Sequence, residues 1–278
     1  MAFPLAYNDN GLHCIPLPRA IDEIASAGFD AVELSLAHGR LDPFDFTESH
    51  AANIRQRLAE AGITACALAT GDARLLGVEP FEPSLIHPEA EGRKRRLDLL
   101  VRSMAMARAI GIPVVSFASG RLRPHVEPAM ALRWLQDGIR TLLEYAGDDI
   151  ALSLEPEPGF LIETNAQVGS LRENPGLHTL TLCQDLGHCR VVEDDYLAAS
   201  DQWLAITRHI QIEDIKGRRH HHEIPGDGDI DFTSFFSLLA GGSYKGYVSV
   251  ELYNQTDRYR EALRRSHDVL RIAQTKTS

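Results

Sequence analysis

Carboxylates stand at or just after the ends of several short apolar runs in this chain. The runs ALSLEPE, LTLCQD and YVSVELY carry Glu155, Asp185 and Glu251, and the run HIQIED lies between the last two. Burying a carboxylate costs free energy unless the group is paired or binds a cation. Few basic residues accompany these acids, so the carboxylates of neighbouring runs would repel one another. A divalent cation resolves that repulsion, and the pattern therefore predicts a metal site.

A histidine triplet, His220 to His222, follows the run HIQIED in the stretch RHIQIEDIKGRRHHHEIPGDGDIDF. The triplet falls in a predicted loop that ends at a helix, whose N-terminus is marked by Asp229 or Asp231. Consecutive loop residues cannot all direct their side chains at one ion. Two interpretations are open from the residues alone: surface histidines in a mobile loop, or a fortuitous nickel or zinc site.

Eight short apolar runs have the length and composition of β-strands. They are LAYN (Leu5 to Asn8), AVELSL (Ala31 to Leu36), TACALAT (Thr64 to Thr70), PVVSFAS (Pro113 to Ser119), ALSLEPE (Ala151 to Glu157), LTLCQD (Leu180 to Asp185), HIQIED (His209 to Asp214) and YVSVELY (Tyr247 to Tyr253). Each predicted strand ends in a polar loop, which is where the side chains of interest lie.

Amphipathic helical patterns separate the predicted strands. Three of them, PRAIDEIASAG, HAANIRQRLAEAG and LDLLVRSMAMARAIG, end at Gly28, Gly62 and Gly111, as helices commonly do. Eight βα units predict an α/β fold, a single (β/α)8 TIM barrel over residues 1–278. An open doubly wound sheet is the structural rival, but the first turn, NDNGLHCIP, is not GxGxxG. The longest irregular stretch, Gly71 to Gly92, is expected at the end of the barrel where active sites form.

Composition limits the classes of function. The net charge is −11 and the pI about 5.5, which disfavours a nucleic-acid partner because phosphates are bound by clustered Lys and Arg. The basic run RKRR, Arg93 to Arg96, is expected to be a solvated helix face. No apolar run is long enough for a membrane span, and no signal peptide is recognised, so a cytoplasmic location is expected. The four cysteines form no CxxC pair and are expected to be free thiols, mostly buried.

Five motifs in order resemble the sugar isomerase/epimerase barrels, the xylose isomerase-like TIM barrels. They are LEPEPG, DLGH, HIQIED, GDGDIDF and GYVSVEL, and AGFDAVELSL resembles the family's first βαβ unit. The resemblance covers essentially the whole chain. It implies one divalent metal held by residues of strands five to eight, and a sugar, inositol-type ketone or related polyol as substrate. A homodimer or homotetramer is expected only from the resemblance.

The implied metal ligands are Glu155, Asp185, Gln211 and Glu251. Gln211 stands where the family usually has the second histidine of HxH, and it resembles a branch with glutamine there. His209 is the alternative ligand, two residues earlier on the same face of the strand. An all-oxygen shell suits Mn²⁺ or Mg²⁺ better than Zn²⁺, so one of those two cations is expected.

The resemblance also implies the reaction. Glu155 and Glu251 would act as acid and base in proton transfer beside a carbonyl, passing through an enediolate. His188 would contact a substrate oxygen, and one or two of Arg218, His220 and His222 would contact hydroxyl or carboxylate groups.

Four functions are compatible with such a barrel. An isomerase or epimerase of a sugar, keto-sugar or inosose is favoured, and a dehydratase using the same machinery is the main alternative. A trinuclear-zinc DNA-repair nuclease of the same superfamily would need more histidine and carboxylate ligands and a basic face. A non-catalytic barrel is disfavoured by the intact glutamate pair.

Overall fold

A computed structural model describes residues 2–71 and 74–276 of the chain. Its strands form a closed barrel in which each strand pairs in parallel with the next and β8 pairs with β1. The strands are β1 (Leu5–Asn8), β2 (Ala31–Ser35), β3 (Thr64–Ala69), β4 (Val114–Ala118), β5 (Ala151–Glu155), β6 (Thr181–Asp185), β7 (Thr207–Ile212) and β8 (Val248–Val250). The predicted (β/α)8 barrel is confirmed.

Helices cover the outside of the barrel. They are α1 (Leu17–Ser26), α2 (Glu48–Ala61), α3 (Ala90–Ile110), α4 (Pro128–Ala146), α5 (Asn165–Arg172), α6 (Leu186–Val192), α7 (Tyr196–Gln202), α8 (Phe232–Gly241) and α9 (Tyr259–Thr275), with short 3₁₀ turns at Asp9–Leu12 and Thr256–Arg258. Among the helices of the described ranges, none is long and apolar enough to cross a membrane.

The predicted helix ends have a backbone cause. α2 and α3 terminate at Gly62 and Gly111, whose φ angles of 72° and 95° lie in the left-handed region. Residues with a Cβ rarely adopt that conformation, so glycine ends the helix there without strain. The N-terminus of α8 is capped by Asp231, whose side chain accepts from Ser234 N. Of the two aspartates predicted to mark this N-terminus, Asp229 and Asp231, it is therefore Asp231 that does so.

Side-chain alternation along the strands separates two apolar layers: an outer layer between the strands and the helices, and a smaller group of strand residues. In β1, Leu5 and Tyr7 pack in the large apolar core with residues of the helices, whereas Ala6 packs with a smaller group that includes Ala31 and Ala67. Each buried leucine of the outer layer stabilises the fold by roughly 1.5–3 kcal/mol. Because successive side chains point to opposite faces, every second residue of a strand faces the barrel interior, and the polar strand ends converge there.

The long loop after β3 is held against the barrel by a buried arginine. Asp72 and Ala73 of the predicted loop Gly71 to Gly92 lie outside the described residues. In the described part, Arg96 Nε donates to Pro83 O at 2.8 Å and the Phe81 ring meets the Phe160 ring edge-on at 4.9 Å. Arg96 is 8% exposed. The expectation that Arg93 to Arg96 form a solvated face is therefore wrong for Arg96, because its guanidinium satisfies carbonyls of the folded loop.

Candidate active site

Three carboxylates meet at the C-terminal end of the barrel. Glu155 and Asp185 are the last residues of β5 and β6, and Glu251 directly follows β8. One oxygen from each of the three lies within 4.8 Å of the others. The sequence predicted this group from strand ends, and the geometry now brings its members within reach of a single ion.

The carboxylate group carries an electrostatic cost in the absence of a cation. Burial, and then the negative charge of Glu251, Glu157 and Asp185, raise the pKa of Glu155 well above its usual value. Burial and the neighbouring acids, Glu33 first, likewise raise the pKa of Glu251. The chain therefore places charged oxygens where a proton or a cation must balance them.

The two carboxylate oxygens of Asp185 have different surroundings. Oδ1 accepts from the backbone N of His188 at 2.8 Å and so caps the start of α6. Oδ2 is buried and has no hydrogen-bond donor. An orphaned carboxylate oxygen next to two further carboxylates fits a bound divalent cation, and the oxygen-rich donor set fits a hard ion.

Glu213 adds another buried carboxylate, and sequence reasoning did not assign it a role. It is 0% exposed, and both of its oxygens lack a donor. Its pKa is raised well above the usual value by burial and by the adjacent carboxylates, Asp185 foremost. A Cβ on Gly187 would overlap Glu213 Oε1, so the glycine of DLGH makes the room that this side chain occupies.

The register of β7 distinguishes the two residues considered as its metal ligand. Asp185 pairs with Gln211, whereas His209 pairs with Cys183, one pleat deeper in the barrel. Gln211 Nε2 donates to Glu33 Oε1 at 3.1 Å, and Gln211 Oε1 accepts from Cys183 Sγ at 3.1 Å. Glu33 thus determines which way the Gln211 amide is turned, because a reversed amide would set two oxygens against each other.

His209 is engaged below the level of the carboxylates. Its Nε2 lies 3.0 Å from Glu33 Oε2, and both side chains are buried. Glu33 of β2 therefore contacts both Gln211 and His209 of β7. This geometry supports Gln211, at the level of Asp185, over His209 as the ligand from this strand.

Two asparagines orient Glu251, and the sequence analysis missed both. Asn8 Nδ2 and Asn10 Nδ2 donate to Glu251 Oε1 at 3.2 and 2.9 Å. These two bonds hold Oε1 and leave Oε2 without either asparagine as a partner. The available signal was the stretch NDNG, which brings polar side chains to the end of β1 and the residues after it.

Three histidines border the carboxylates. Nδ1 of His188 lies 2.9 Å from Pro156 O, and Nδ1 of His222 lies 2.9 Å from Glu251 O. A carbonyl can only accept, so Nδ1 carries the proton in both rings. His220 Nε2 lies 3.4 Å from His222 Nε2, and one nitrogen from each of the three rings lies within 4.8 Å of the others.

The protonation of these rings differs. Burial lowers the pKa of His220 to about 4 and that of His222 to about 3. Burial also opposes the charged form of His188, but Asp185, Glu157 and the Pro156 carbonyl raise its pKa on balance. At neutral pH, His220 and His222 are therefore neutral imidazoles with a free lone pair.

The middle histidine of the triplet is directed elsewhere. His221 Nε2 lies 3.1 Å from Asn254 Nδ2, and its Nδ1 lies 3.2 Å from Glu223 Oε1. The triplet thus splits into two site-facing rings and one outer ring.

Asp214 fixes the loop that carries the histidines. Its buried carboxylate accepts from the backbone N of Ile215, Gly226 and Ile230 at 2.9, 2.8 and 3.0 Å. Its backbone also exchanges hydrogen bonds of 2.9 Å with Glu223 in both directions. These contacts close the loop at its base, so that His222, next to the closure, is held in place.

The Arg218 side chain binds to the chain at the end of α6, and not to the carboxylates or the three histidines named above. Its guanidinium donates to Val191 O at 3.0 Å, to Glu193 O at 2.9 Å and to Asp194 Oδ1 at 3.1 Å. The side chain ties the loop to the end of α6, so this geometry does not support the predicted substrate contact by Arg218.

Comparison with known proteins identifies the family. Residues 21–271 match the family described as xylose isomerase-like TIM barrel. The chain belongs to this family. A putative hydroxypyruvate isomerase of Homo sapiens is 24% identical over 275 residues, covering 91% of each chain. An inosose dehydratase of Halalkalibacterium halodurans is 28% identical over 107 residues, covering 32% of this chain and 35% of that protein.

Solved structures show the same architecture. D-psicose 3-epimerase, in a crystal structure with D-fructose, superposes with a TM-score of 0.81 at 16% identity, covering 99% of both chains. The IolI protein with a bound zinc atom superposes with a TM-score of 0.77 at 15% identity, again covering 99% of both chains. At these identities the likeness establishes the fold of this family member.

Proposed function

We propose that this xylose isomerase-like barrel is a divalent-metal-dependent isomerase or epimerase of a sugar, keto-sugar or inosose. The observation that carries the proposal is the convergence of Glu155, Asp185 and Glu251 within 4.8 Å at the end of the barrel. The named activities of the relatives, hydroxypyruvate isomerase and inosose dehydratase, support an enzyme acting on a small oxygenated carbon compound.

Glu155, Asp185, Gln211 and Glu251 would hold the metal, with Mn²⁺ or Mg²⁺ preferred for an all-oxygen shell. The orphaned Asp185 Oδ2 supports this assignment. When bound, the cation supplies positive charge beside the oxygen that becomes negative as the substrate loses a proton.

Glu155 and Glu251 are proposed as the acid/base pair. They lie on β5 and after β8, with β6 and β7 between them, so they approach a bound substrate from different directions. One carboxylate takes the proton from the carbon next to the carbonyl, and the other returns a proton from the opposite face, which inverts that carbon. Return of a proton to the neighbouring carbon would instead exchange the positions of carbonyl and hydroxyl.

His188, His220 and His222 are proposed to face the substrate. The proton of His222 is on Nδ1, against Glu251 O, so its Nε2 can accept a hydrogen bond from a substrate hydroxyl. Neutral acceptor nitrogens on one side and carboxylates on the other suit a polyol with several hydroxyl donors.

A screen in deuterated water tests this proposal. Keto-sugars and inososes are incubated with the protein and Mn²⁺ or Mg²⁺, and deuterium incorporation beside the carbonyl is followed by NMR. A substrate should gain deuterium with the native protein, and Glu251→Gln should no longer convert that substrate to its epimer. The exposed Glu144→Gln on α4 is the matched control and should behave as the native protein. No exchange with any compound and either metal would contradict the proposal.

The inosose dehydratase relatives favour a second candidate, dehydration through the same proton abstraction. Here one carboxylate takes the proton from the carbon next to the carbonyl, and a carboxylic acid of the pair gives its proton to the β-hydroxyl, so that the C–O bond breaks and water leaves as the C=C bond forms. Mass spectrometry distinguishes the two, because an epimer keeps the mass of the substrate and a dehydrated product lacks one water.

A further inference from the structure

We propose that Arg121 binds a carboxylate group of the substrate, so that the compound converted at the strand-end carboxylates is a keto acid derived from a sugar or polyol. This inference rests on the proposed function and names the substrate class of the same site. Arg218, which the sequence analysis expected to contact a hydroxyl or carboxylate, is held at the end of α6. Arg121 lies in the loop after β4, at the same end of the barrel as Glu155.

An aromatic ring supports the Arg121 guanidinium. Its Cζ lies 5.2 Å from the centroid of the Phe160 ring. Phe160 is 4% exposed and its ring meets the Phe81 ring edge-on, so the surface under the guanidinium is itself held in place. A guanidinium stacked on an aromatic face keeps the N–H groups at its edge available as donors. The stack therefore orients Arg121 without occupying its hydrogen-bond donors.

The backbone beside Arg121 is fixed by the loops on both sides of it. Gly120 has a φ angle of 96°, and a Cβ there would overlap the Ser84 side chain in the loop after β3. Gly120 O also accepts from Leu161 N, in the loop after β5, at 3.0 Å. Because these contacts are present before a ligand binds, little conformational freedom of this loop is lost on binding.

A short series of contacts connects Arg121 with the histidines of the site. Phe160 N donates to Glu157 O at 3.0 Å, and Glu157 Oε1 lies 3.9 Å from His220 Nδ1. Burial is the main cause of the lowered pKa of His220, and the positive charge of Arg121 acts in the same direction. Arg121 is thus close enough for its charge to act on a ring that is proposed to face the substrate.

Arg121 also has a charge that the protein leaves uncompensated. It is exposed, and among the residues that the structure describes it forms no ion pair, whereas Arg123 of the same loop pairs with Glu79 at 2.7 Å. The parallel N–H groups of a guanidinium match the two oxygens of a carboxylate. A single unpaired guanidinium balances one negative charge, which favours a carboxylate over a phosphate dianion.

Ligands that differ only at C6 test the proposal. Calorimetry with Mn²⁺ present measures binding of D-fructuronate and D-tagaturonate to the whole protein, each beside its 6-deoxy and 6-phosphate counterparts. None of these compounds can close a pyranose ring through O6, so all are restricted to furanose and open-chain forms. At least one uronate should bind about 10-fold more tightly than its 6-deoxy counterpart.

Arg121→Gln should abolish this preference and leave binding of the 6-deoxy compound unchanged, with circular dichroism to verify the fold. Arg133→Gln is the matched control, because Arg133 is exposed on α4 and its replacement removes the same charge from the outside of the barrel. This control should keep the native preference for the uronate.

Three results would overturn the contact: no uronate binds more tightly than its 6-deoxy counterpart, the 6-phosphate binds more tightly than the uronate, or Arg121→Gln keeps the preference. Deuterium exchange separates this inference from the proposed function. Preferential uronate binding without exchange in any compound would contradict the proposed function and leave the Arg121 contact standing. Exchange in neutral keto-sugars without a preference for the uronate would contradict the contact alone.

Discussion

Replacing Asp214 should loosen the histidine loop without removing the carboxylate site. In the native structure Oδ1 accepts from Ile215 N and Ile230 N, and Oδ2 accepts from Gly226 N. Asp214→Asn keeps the two bonds to Oδ1. The new Nδ2 then faces the Gly226 N–H, donor against donor, so one charge-assisted bond is lost and one N–H is left unpaired.

The cost follows from these contacts. A hydrogen bond to a charged group contributes about 1.5–3 kcal/mol, and an unpaired buried donor costs about 1–3 kcal/mol. Because the two terms overlap, we expect Asp214→Asn to lower the free energy of unfolding by roughly 2–4 kcal/mol. At about 2–3 °C per kcal/mol for a chain of this size, the melting temperature should fall by roughly 4–12 °C. Asp214→Ala removes all three bonds and should cost more.

Thermal unfolding followed by circular dichroism measures the change in melting temperature, and Mn²⁺ titration measures metal binding at the carboxylate site. The control is Asp229→Asn, an exposed residue of the same loop whose carboxylate accepts from Gly217 N; it should change stability by less than about 1 kcal/mol. Native stability in Asp214→Asn would refute the anchoring role. Loss of Mn²⁺ binding in a folded Asp214→Asn would show instead that Asp214 is a metal ligand.

Three further perturbations examine the site itself. Gln211→His should shift metal preference from Mn²⁺ towards Zn²⁺, because imidazole replaces an oxygen ligand; competition titration with unchanged preference would count against Gln211 as a ligand. In the metal-free protein, the raised pKa values of Glu155 and Glu251 mean that stability present below their usual pKa is lost as pH rises through the raised values. The gain in melting temperature on adding Mn²⁺ should therefore grow as the pH rises from the usual glutamate pKa of about 4.3 through the raised values, and a gain that is constant with pH would contradict this. Gly187→Ala places a Cβ where Glu213 Oε1 lies and should lower the free energy of unfolding by about 1–3 kcal/mol, because the Glu213 side chain must move. Urea unfolding measures this change, and native stability would show that Glu213 can move freely.

The barrel could be predicted because its signals are local. Strand periodicity and the glycines after α2 and α3 each act within a few residues, so element type and order follow from neighbouring side chains. Element ends were less exact: β8 spans Val248–Val250, shorter than the predicted Tyr247 to Tyr253. After Val250 the chain leaves the ladder, although Glu251 N still donates to Ile212 O at 3.0 Å.

The site could be predicted only where strand ends determine it. Carboxylates at the ends of adjacent parallel strands meet at one edge whatever the loops do. The direction of Arg218 could not be deduced, because it depends on its contact with Asp194, 24 residues away in sequence. The partners of Glu251, Asn8 and Asn10, lie at the opposite end of the chain and meet it only when the barrel closes.

Isotope exchange in single glutamate variants tests the central claim most directly. Once a substrate and its epimer are known, each is incubated with Glu155→Gln or Glu251→Gln in deuterated water with Mn²⁺. If the two carboxylates serve opposite faces, each variant should stop interconversion yet still exchange the proton of one epimer, and the two variants should exchange different epimers. Interconversion that survives in both variants, or exchange of the same epimer by both, would contradict the two-carboxylate mechanism.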